Sequence, residues 1–172
     1  MNNASKVLGT MLGVCLICSG CATVISEKVQ SKANRNVSVT AVREASENYI
    51  GQLVIWGGEI VGAKNREEGT TIEILQKPTN RSLRPKEVDV SGGRFLAIYD
   101  GYLDVAIYER GREVTVAGQI QGTRVLPLGE IEYRYPVIDV EEIHLWEPIK
   151  ETAEYPYRYY PHRYYPPPWW YW

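Results

Sequence analysis

The chain has 172 residues, with 19 Lys and Arg against 21 Asp and Glu, which gives a formal net charge of −2 at pH 7. This length is typical of one domain, and the near-neutral charge argues against a polybasic nucleic-acid-binding protein, whose affinity comes mainly from neutralising phosphates. With 23% charged and 44% hydrophobic residues, the composition excludes both a disordered chain and a protein with many membrane spans.

Residues 1–20 have the build of a secretory signal peptide. Lys6 is followed by an uncharged, mostly apolar run over residues 7–17, which is too short to span a bilayer as a helix. The sequence CSGC at residues 18–21 resembles a bacterial lipobox. The resemblance implies cleavage before Cys21, a diacylglycerol on its sulfur and an acyl group on its new amino terminus, and we expect no other cofactor.

The three cysteines also allow a metal-binding interpretation. Cys15, Cys18 and Cys21 form a C-x2-C-x2-C run, a spacing that iron–sulfur proteins use together with a fourth thiolate. The chain has only three cysteines, and an apolar run is the wrong surrounding for a charged cluster. We therefore predict no metal site, and acylation of Cys21 would leave the mature chain without an intrachain disulfide.

Residues 21–36 are predicted to form the lipidated N-terminus and a polar tether, because residues 23–36 lack a periodic apolar pattern. Ala22 follows Cys21, and the absence of Asp there favours the outer membrane in enteric-type bacteria. We expect a lipid-anchored protein at the periplasmic face of that membrane, since several acyl chains together give stable anchoring.

Residues 37–148 have the pattern of a compact β domain. Runs of β-branched and aromatic residues predict five strands, over residues 53–61, 70–75, 94–99, 113–122 and 137–146. The adjacent residues Glu141 and Glu142 indicate an irregularity in the last strand. The spacing of Leu103, Ala106 and Ile107 predicts one short helix over residues 100–111.

This order of elements predicts an all-β fold with one short helix, a small OB-like barrel of five strands. Gly57, Gly58 and Gly118 fit the sharp coiling that closing a small barrel requires. The alternative is a flat antiparallel sheet covered by one helix.

Several segments of this domain resemble the Slp family of outer-membrane lipoproteins. Residues 49–60, YIGQLVIWGGEI, match the family signature Y-x-G-x-x-V-x-W-G-G-x-I, and agreement continues through FLA at 95–97, GYLD at 101–104, VAGQIQG at 116–122, YRYPV at 133–137 and HLW at 144–146. The resemblance covers residues 37–148. It implies an outer-membrane lipoprotein associated with stationary phase or carbon starvation, and it implies no particular reaction.

Few side chains of the mature chain are suited to catalysis. The histidines are His144, in a predicted strand, and His162, near the C-terminus, and a histidine beside Leu145 and Trp146 is more typical of a structural residue. The carboxylate pairs at 67–68 and 141–142 have no basic or metal-binding partner nearby in sequence, and the Gly-Gly pairs lack the spacing of phosphate-binding loops. We predict that the protein is not an enzyme.

Two tryptophans of the β domain are candidate binding residues. Trp56 and Trp146 are predicted to lie near the mouth of the barrel, where they would contact a glycan or a small ligand. OB folds often bind oligonucleotides across strands 2 and 3. That surface would include Thr71, Glu73, Arg94, Phe95 and Tyr99. Residues 21–148 carry 15 Lys and Arg against 19 Asp and Glu, a net charge of −4, so we expect no nucleic-acid partner.

Residues 149–172 contain seven Tyr, three Trp and five Pro, which predicts an extended tail rather than a packed element. Three interpretations stay open: a low-complexity tail that tolerates truncation, an aromatic anchor at the membrane interface, and a contact with peptidoglycan or an envelope protein. The candidate binding residues of this tail are Trp169, Trp170 and Trp172.

The sequence thus predicts an outer-membrane lipoprotein whose β domain has a structural or binding role in starvation, stationary phase or envelope stress. The alternative is a periplasmic module that binds a glycan or small ligand through the aromatic residues of the barrel mouth and the tail.

Overall fold

The computed structural model describes residues 23–149, in which two short helices and a 3-10 turn precede five strands. The helices are α1 (Glu27–Lys32) and α2 (Val39–Glu44), and the 3-10 turn covers Ser46–Asn48. The strands are β1 (Leu53–Arg66), β2 (Gly69–Lys77), β3 (Arg94–Tyr99), β4 (Glu113–Leu128) and β5 (Ile131–Leu145). Within residues 23–149, none of the helices has the length and apolar character needed to cross a bilayer.

The strands close into a barrel in the order β1-β2-β3-β5-β4. Strands β3 and β5 pair in parallel, and all other neighbours are antiparallel. This is the arrangement of a five-stranded OB-like barrel. The predicted barrel is confirmed, and the flat sheet is excluded.

Two glycines permit the close strand contacts of this small barrel. A Cβ atom on Gly58 would lie 2.2 Å from the carbonyl oxygen of Leu75, and one on Gly118 would lie 2.2 Å from that of Asp139. Gly118 also adjoins a β-bulge, because Ala117 pairs with Glu142 while Gly118 pairs with Val140, leaving Glu141 as the extra residue. The predicted irregularity at Glu141 and Glu142 is therefore confirmed.

The barrel interior holds the main hydrophobic core. Alternation turns Ile72 and Ile74 of β2 and Val114 and Val116 of β4 inward, and all four are fully buried. Helix α2 adds Val39 and Val42 to the same core. It thereby covers apolar surface that the five strands leave open.

The helix predicted over residues 100–111 is absent, and turns occupy this segment. Gly101 adopts a φ of +137°, which an α-helix does not accommodate. The backbone N–H groups of Ile107 and Tyr108 both donate to the Asp104 carbonyl at 2.9 Å, which closes a single turn. The Asp104 side chain accepts a hydrogen bond from the Ala106 backbone N–H at 2.9 Å and so stabilises a turn. Ile107, expected on the buried face, is 51% exposed.

The prediction of a polar tether over residues 21–36 is also wrong where the structure describes this segment. Residues 25–33 pack on the barrel instead. Ile25 is fully buried and Val29 nearly so, in a cluster on the outer face of the barrel with Leu83 and Ala117. The Ser26 side chain caps α1 by accepting from the Val29 backbone N–H at 3.4 Å. Two apolar residues four positions apart, one on each side of a capping serine, were the signal for this helix.

Strands β4 and β5 are longer than predicted and form a projecting hairpin. Their pairing continues from Thr123 and Pro136 to Leu128 and Ile131, and the turn uses Gly129 at φ +62°. Val125 and Ile131 on this hairpin are largely exposed. The hairpin forms one wall of the groove described next.

Candidate functional site

A groove of about 270 Å³ lies on the outer face of the barrel between the β1–β2 and β4–β5 hairpins. The two hairpins contribute Lys64, Arg66, Arg124 and Leu126 to its lining. Alternation places Thr71, Glu73 and Leu96 on this face, since their neighbours in β2 and β3 point into the core. We call this site the hairpin groove; its lining is Gly62, Lys64, Arg66, Thr71, Glu73, Leu96, Arg124 and Leu126.

Glu73, the carboxylate of the hairpin groove, is already paired. Its Oε1 accepts from Arg94 Nη1 at 2.7 Å and from the Tyr135 hydroxyl at 3.2 Å. The bond to Glu73 raises the pKa of Arg94 above its ordinary value. Burial raises the pKa of Tyr135, with a further contribution from the Glu73 charge, so that the hydroxyl stays protonated and donates to this carboxylate.

The remaining charges of the groove are cationic. Lys64, Arg66 and Arg124 are exposed, and the ion pairs found among residues 23–149 involve other cations, namely Lys77, Arg84 and Arg94. Leu96 and Leu126 supply apolar surface beside these cations. The groove is therefore suited to an anionic ligand that also has an apolar part.

A second cavity, of about 410 Å³, borders Trp146, but its charges are mixed. Its lining includes the cations Lys77, Arg84 and Arg112 and the carboxylates of Glu59, Glu87, Glu113 and Glu147. Lys77 pairs with Glu59 at 2.9 Å, and Arg84 pairs with Glu113 at 2.7 Å. Opposite charges that neutralise each other give this cavity no clear preference for an anion or a cation.

Trp146 itself is held in a structural network. Its indole N–H donates to Thr115 Oγ1 at 2.9 Å, and the buried Thr115 hydroxyl in turn donates to the Leu83 carbonyl at 2.7 Å. The Arg84 guanidinium carbon lies 5.2 Å from the centroid of the Trp146 ring, and the His144 ring approaches in an edge-on geometry at 4.6 Å. The guanidinium thus lies over the ring, where a sugar would otherwise stack.

Trp56 was predicted to lie at the barrel mouth, and this is wrong. It is a core residue with 6% of its surface exposed. Its ring packs edge-on against Phe95 at 5.1 Å, and its indole N–H donates to the Val37 carbonyl at 3.0 Å. Trp146 bonds to Thr115, which faces outward between Val114 and Val116. The two tryptophans thus lie on opposite faces of the barrel wall.

The surface of β2 and β3 on which OB folds often bind oligonucleotides differs in part from the set of residues expected there. Phe95, which was expected on this surface, is fully buried in the core. Arg94 is paired with Glu73, while Thr71 lines the hairpin groove. The sequence analysis did not identify Lys64, Arg66, Arg124 and Leu126 as site residues. The alternating pattern that continues past residue 122 was the signal for the β4–β5 hairpin, which carries two of them.

Cys21 and the tail residues Trp169, Trp170 and Trp172 lie outside residues 23–149, so the predictions for them stay predictions. Within the described range, no three His, Cys, Asp or Glu side chains form a group able to hold a metal ion.

The fold was compared with solved structures. A small single-stranded DNA-binding protein from Streptomyces coelicolor aligns with 56% of this chain and 93% of its own, at a TM-score of 0.34 and 12% identity. The mitochondrial single-stranded DNA-binding protein Rim1 from S. cerevisiae aligns with 56% of this chain and 96% of its own, at a TM-score of 0.33 and 8% identity. Similarity at this level carries no information about a ligand.

The sequence was compared with known proteins and families. The lipoprotein YeaY of Escherichia coli (strain K12) is 32% identical over 131 residues, which cover 76% of this chain and 67% of that protein. The outer membrane protein Slp of the same strain is 26% identical over 137 residues, or 79% of this chain and 72% of that protein. Residues 18–172 match the model of the outer membrane lipoprotein Slp family. The chain therefore belongs to the Slp family of outer membrane lipoproteins.

Proposed function

We propose that this outer membrane lipoprotein is acylated at Cys21, lies at the periplasmic face of the membrane and acts by binding an envelope component rather than by catalysis. The resemblance noted in the sequence further associates this role with starvation, stationary phase or envelope stress. Membership of the family supports the membrane location, and the acyl chains on Cys21 would make the attachment stable.

The hairpin groove is the observation that carries the binding role. Its cations have no ion-pair partner among the described residues, whereas its carboxylate, Glu73, is held by Arg94 and Tyr135. This leaves unbalanced positive charge beside apolar surface, on a β domain that is acidic as a whole. Such a local reversal of charge favours an anionic ligand.

Cell fractionation of wild type and Cys21→Ser tests the anchoring. We expect wild type in the outer membrane fraction and Cys21→Ser outside it, because the variant lacks the sulfur that receives the diacylglycerol. Protease added to intact cells should leave the wild-type protein uncut if the domain faces the periplasm. Equal outer-membrane recovery of both proteins would contradict lipid anchoring, and cleavage in intact cells would contradict the periplasmic face.

The second candidate function is binding of an acidic glycan fragment in the hairpin groove, and the three cations favour it. Peptidoglycan fragments are suitable probes, since their peptide carboxylates would pair with Arg124. Tail residues Trp169, Trp170 and Trp172 belong to this proposal as stacking surfaces for sugar rings.

For this glycan, Arg124→Ala should weaken binding about tenfold or more, as expected for loss of a charge-assisted hydrogen bond. Arg134→Ala is the matched control, because Arg134 is an exposed arginine on the same hairpin outside the groove lining. Titration of the purified protein with the fragments measures both affinities. Equal losses in the two variants, or no binding by wild type, would contradict glycan binding in the groove.

A further inference from the structure

The described chain is fixed to the barrel almost immediately after the proposed lipid attachment. Ile25 is fully buried. The Ser26 backbone N–H and hydroxyl donate to the two carboxylate oxygens of Glu142 at 2.7 and 2.5 Å. At the other end of α1, the Asn34 backbone N–H donates to the Leu53 carbonyl at 2.8 Å. The segment is thus held at both ends.

Only four residue steps separate Cys21 from Ile25. A fully extended chain spans at most about 3.3–3.6 Å per residue, so the two Cα atoms are at most roughly 14 Å apart. This distance is about half the hydrocarbon thickness of a bilayer, ~30 Å. A lipid on Cys21 would therefore keep the face of the barrel that carries α1 next to the headgroups.

That face carries a concentration of positive charge. Arg35, Arg81 and Lys86 line one depression of about 390 Å³ whose lining contains no carboxylate. Lys28 and Lys32 are exposed on α1, which packs through Val29 into the cluster that contains Leu83, another lining residue of this depression. We call Lys28, Lys32, Arg35, Arg81 and Lys86 the basic patch.

Few carboxylates oppose the basic patch. Glu27 is the single carboxylate of α1, and Glu87, next to Lys86, lines the Trp146 cavity instead. Glu142 keeps its negative charge while it binds the neutral donors of Ser26, and Glu141 adjoins it in β5, but neither lines the depression that holds Arg35, Arg81 and Lys86. No member of the patch belongs to an ion pair within residues 23–149. Over the same range, the 15 Lys and Arg are outnumbered by 19 Asp and Glu, so that the patch departs from the charge of the domain as a whole.

We propose that the basic patch binds anionic phospholipid headgroups and orients the barrel on the membrane, with the hairpin groove turned away from it. This inference rests on the proposed acylation of Cys21, which brings the patch within about one or two Debye lengths of the lipid surface. Basic residues at that distance are attracted to anionic lipids. The short connection and the patch together restrict the barrel to one orientation.

Lysine accessibility on vesicles tests this orientation. The purified, acylated protein is added to vesicles of phosphatidylcholine with or without phosphatidylglycerol, and the acetylation rate of each lysine is measured by mass spectrometry. We expect Lys28, Lys32 and Lys86 to react about threefold or more slowly on the anionic vesicles. Lys64 in the hairpin groove, near the far end of β1 from the α1 contact, is the internal control and should be unchanged.

A charge variant separates the patch from the lipid anchor. The triple variant Arg35→Gln, Arg81→Gln and Lys86→Gln should float with the vesicles as wild type does, but Lys28 and Lys32 should lose their protection. A control variant with Arg110→Gln and Arg134→Gln, two exposed arginines outside both the basic patch and the groove lining, should keep the protection of Lys28 and Lys32. In wild type, 0.5 M salt should remove the protection without releasing the protein.

The possible failures are distinguishable. A protein that does not float with either vesicle contradicts the acylation and hence the proposed function. A protein that floats, but whose Lys28, Lys32 and Lys86 react equally fast on both vesicles or are slowed no more than Lys64, overturns the orientation while leaving the anchor intact.

Discussion

Gly58→Ala is expected to destabilise the protein by about 3 kcal/mol or more and to prevent normal closure of the barrel. The new Cβ would lie 2.2 Å from the Leu75 carbonyl oxygen and 2.6 Å from a methyl carbon of Ile74. Because the first of these atoms is backbone, β1 and β2 would have to separate, which breaks ladder hydrogen bonds and loosens the core. A loss of this size is a large share of the ~5–15 kcal/mol that stabilises a typical domain.

Gly62→Ala is the matched control for this variant. Gly62 lies in the same strand, its φ is not positive, and an added Cβ would have no neighbour within 4 Å. Urea unfolding of the detergent-solubilised lipoprotein, followed by circular dichroism, compares the two with wild type. We expect Gly62→Ala within about 0.5 kcal/mol of wild type. A Gly58→Ala protein that is as stable as Gly62→Ala would contradict the close contact of β1 and β2.

Trp56→Ala is the second variant with a large expected effect, a loss of about 3–5 kcal/mol. It removes the largest side chain of the core, its edge-on contact with Phe95 and its hydrogen bond to the Val37 carbonyl. The cavity left behind would adjoin α2, so the helix should loosen together with the barrel.

Trp56→Phe separates the contribution of core packing from that of the hydrogen bond, because it keeps an aromatic ring but removes the indole N–H. It should cost less than Trp56→Ala, at about 1–3 kcal/mol, with the Val37 carbonyl left without its donor. Val125→Ala, at a position that is 53% exposed, should change stability by less than about 0.5 kcal/mol. A ligand-binding role for Trp56 predicts the reverse: unchanged stability by circular dichroism and loss of binding.

The closed barrel could be predicted because its determinants are local. Residues 94–99 gave the bounds of β3, since a run of β-branched and aromatic residues ends there at a turn. Gly58 and Gly118 stand where strands cross closely, and glycine in a strand is a signal that requires no knowledge of distant partners. The doubled glutamate at 141–142 likewise coincides with the bulge.

What the sequence did not reveal depends on contacts between distant segments. Ile25 and Val29 are buried only because Leu83 and Ala117 lie against them, and a six-residue helix is not stable without such packing. The direction of Trp56 depends on α2, which closes over it. An aromatic residue in a strand fits either face, so the pattern alone could not distinguish a core residue from a binding residue.

The hairpin groove illustrates the same limit. Lys64, Arg66 and Arg124 come from two strands, and they meet only because the β4–β5 hairpin extends beyond the barrel. The sequence predicted that the strand ends at Gly122, yet this glycine, at φ +123°, pairs with Val137 next to a bulge at Gln121, and the strand continues. A glycine that bends a strand and one that ends it are alike in sequence.

Mass spectrometry of the mature N-terminus is the decisive experiment on whether lipid on Cys21 holds this Slp-family protein on the outer membrane. We expect the most N-terminal peptide to begin at Cys21 and to carry a diacylglycerol on sulfur and an acyl chain on the amino group. A mature protein that retains residues 1–20, or that begins at Cys21 with a free thiol, would contradict this expectation.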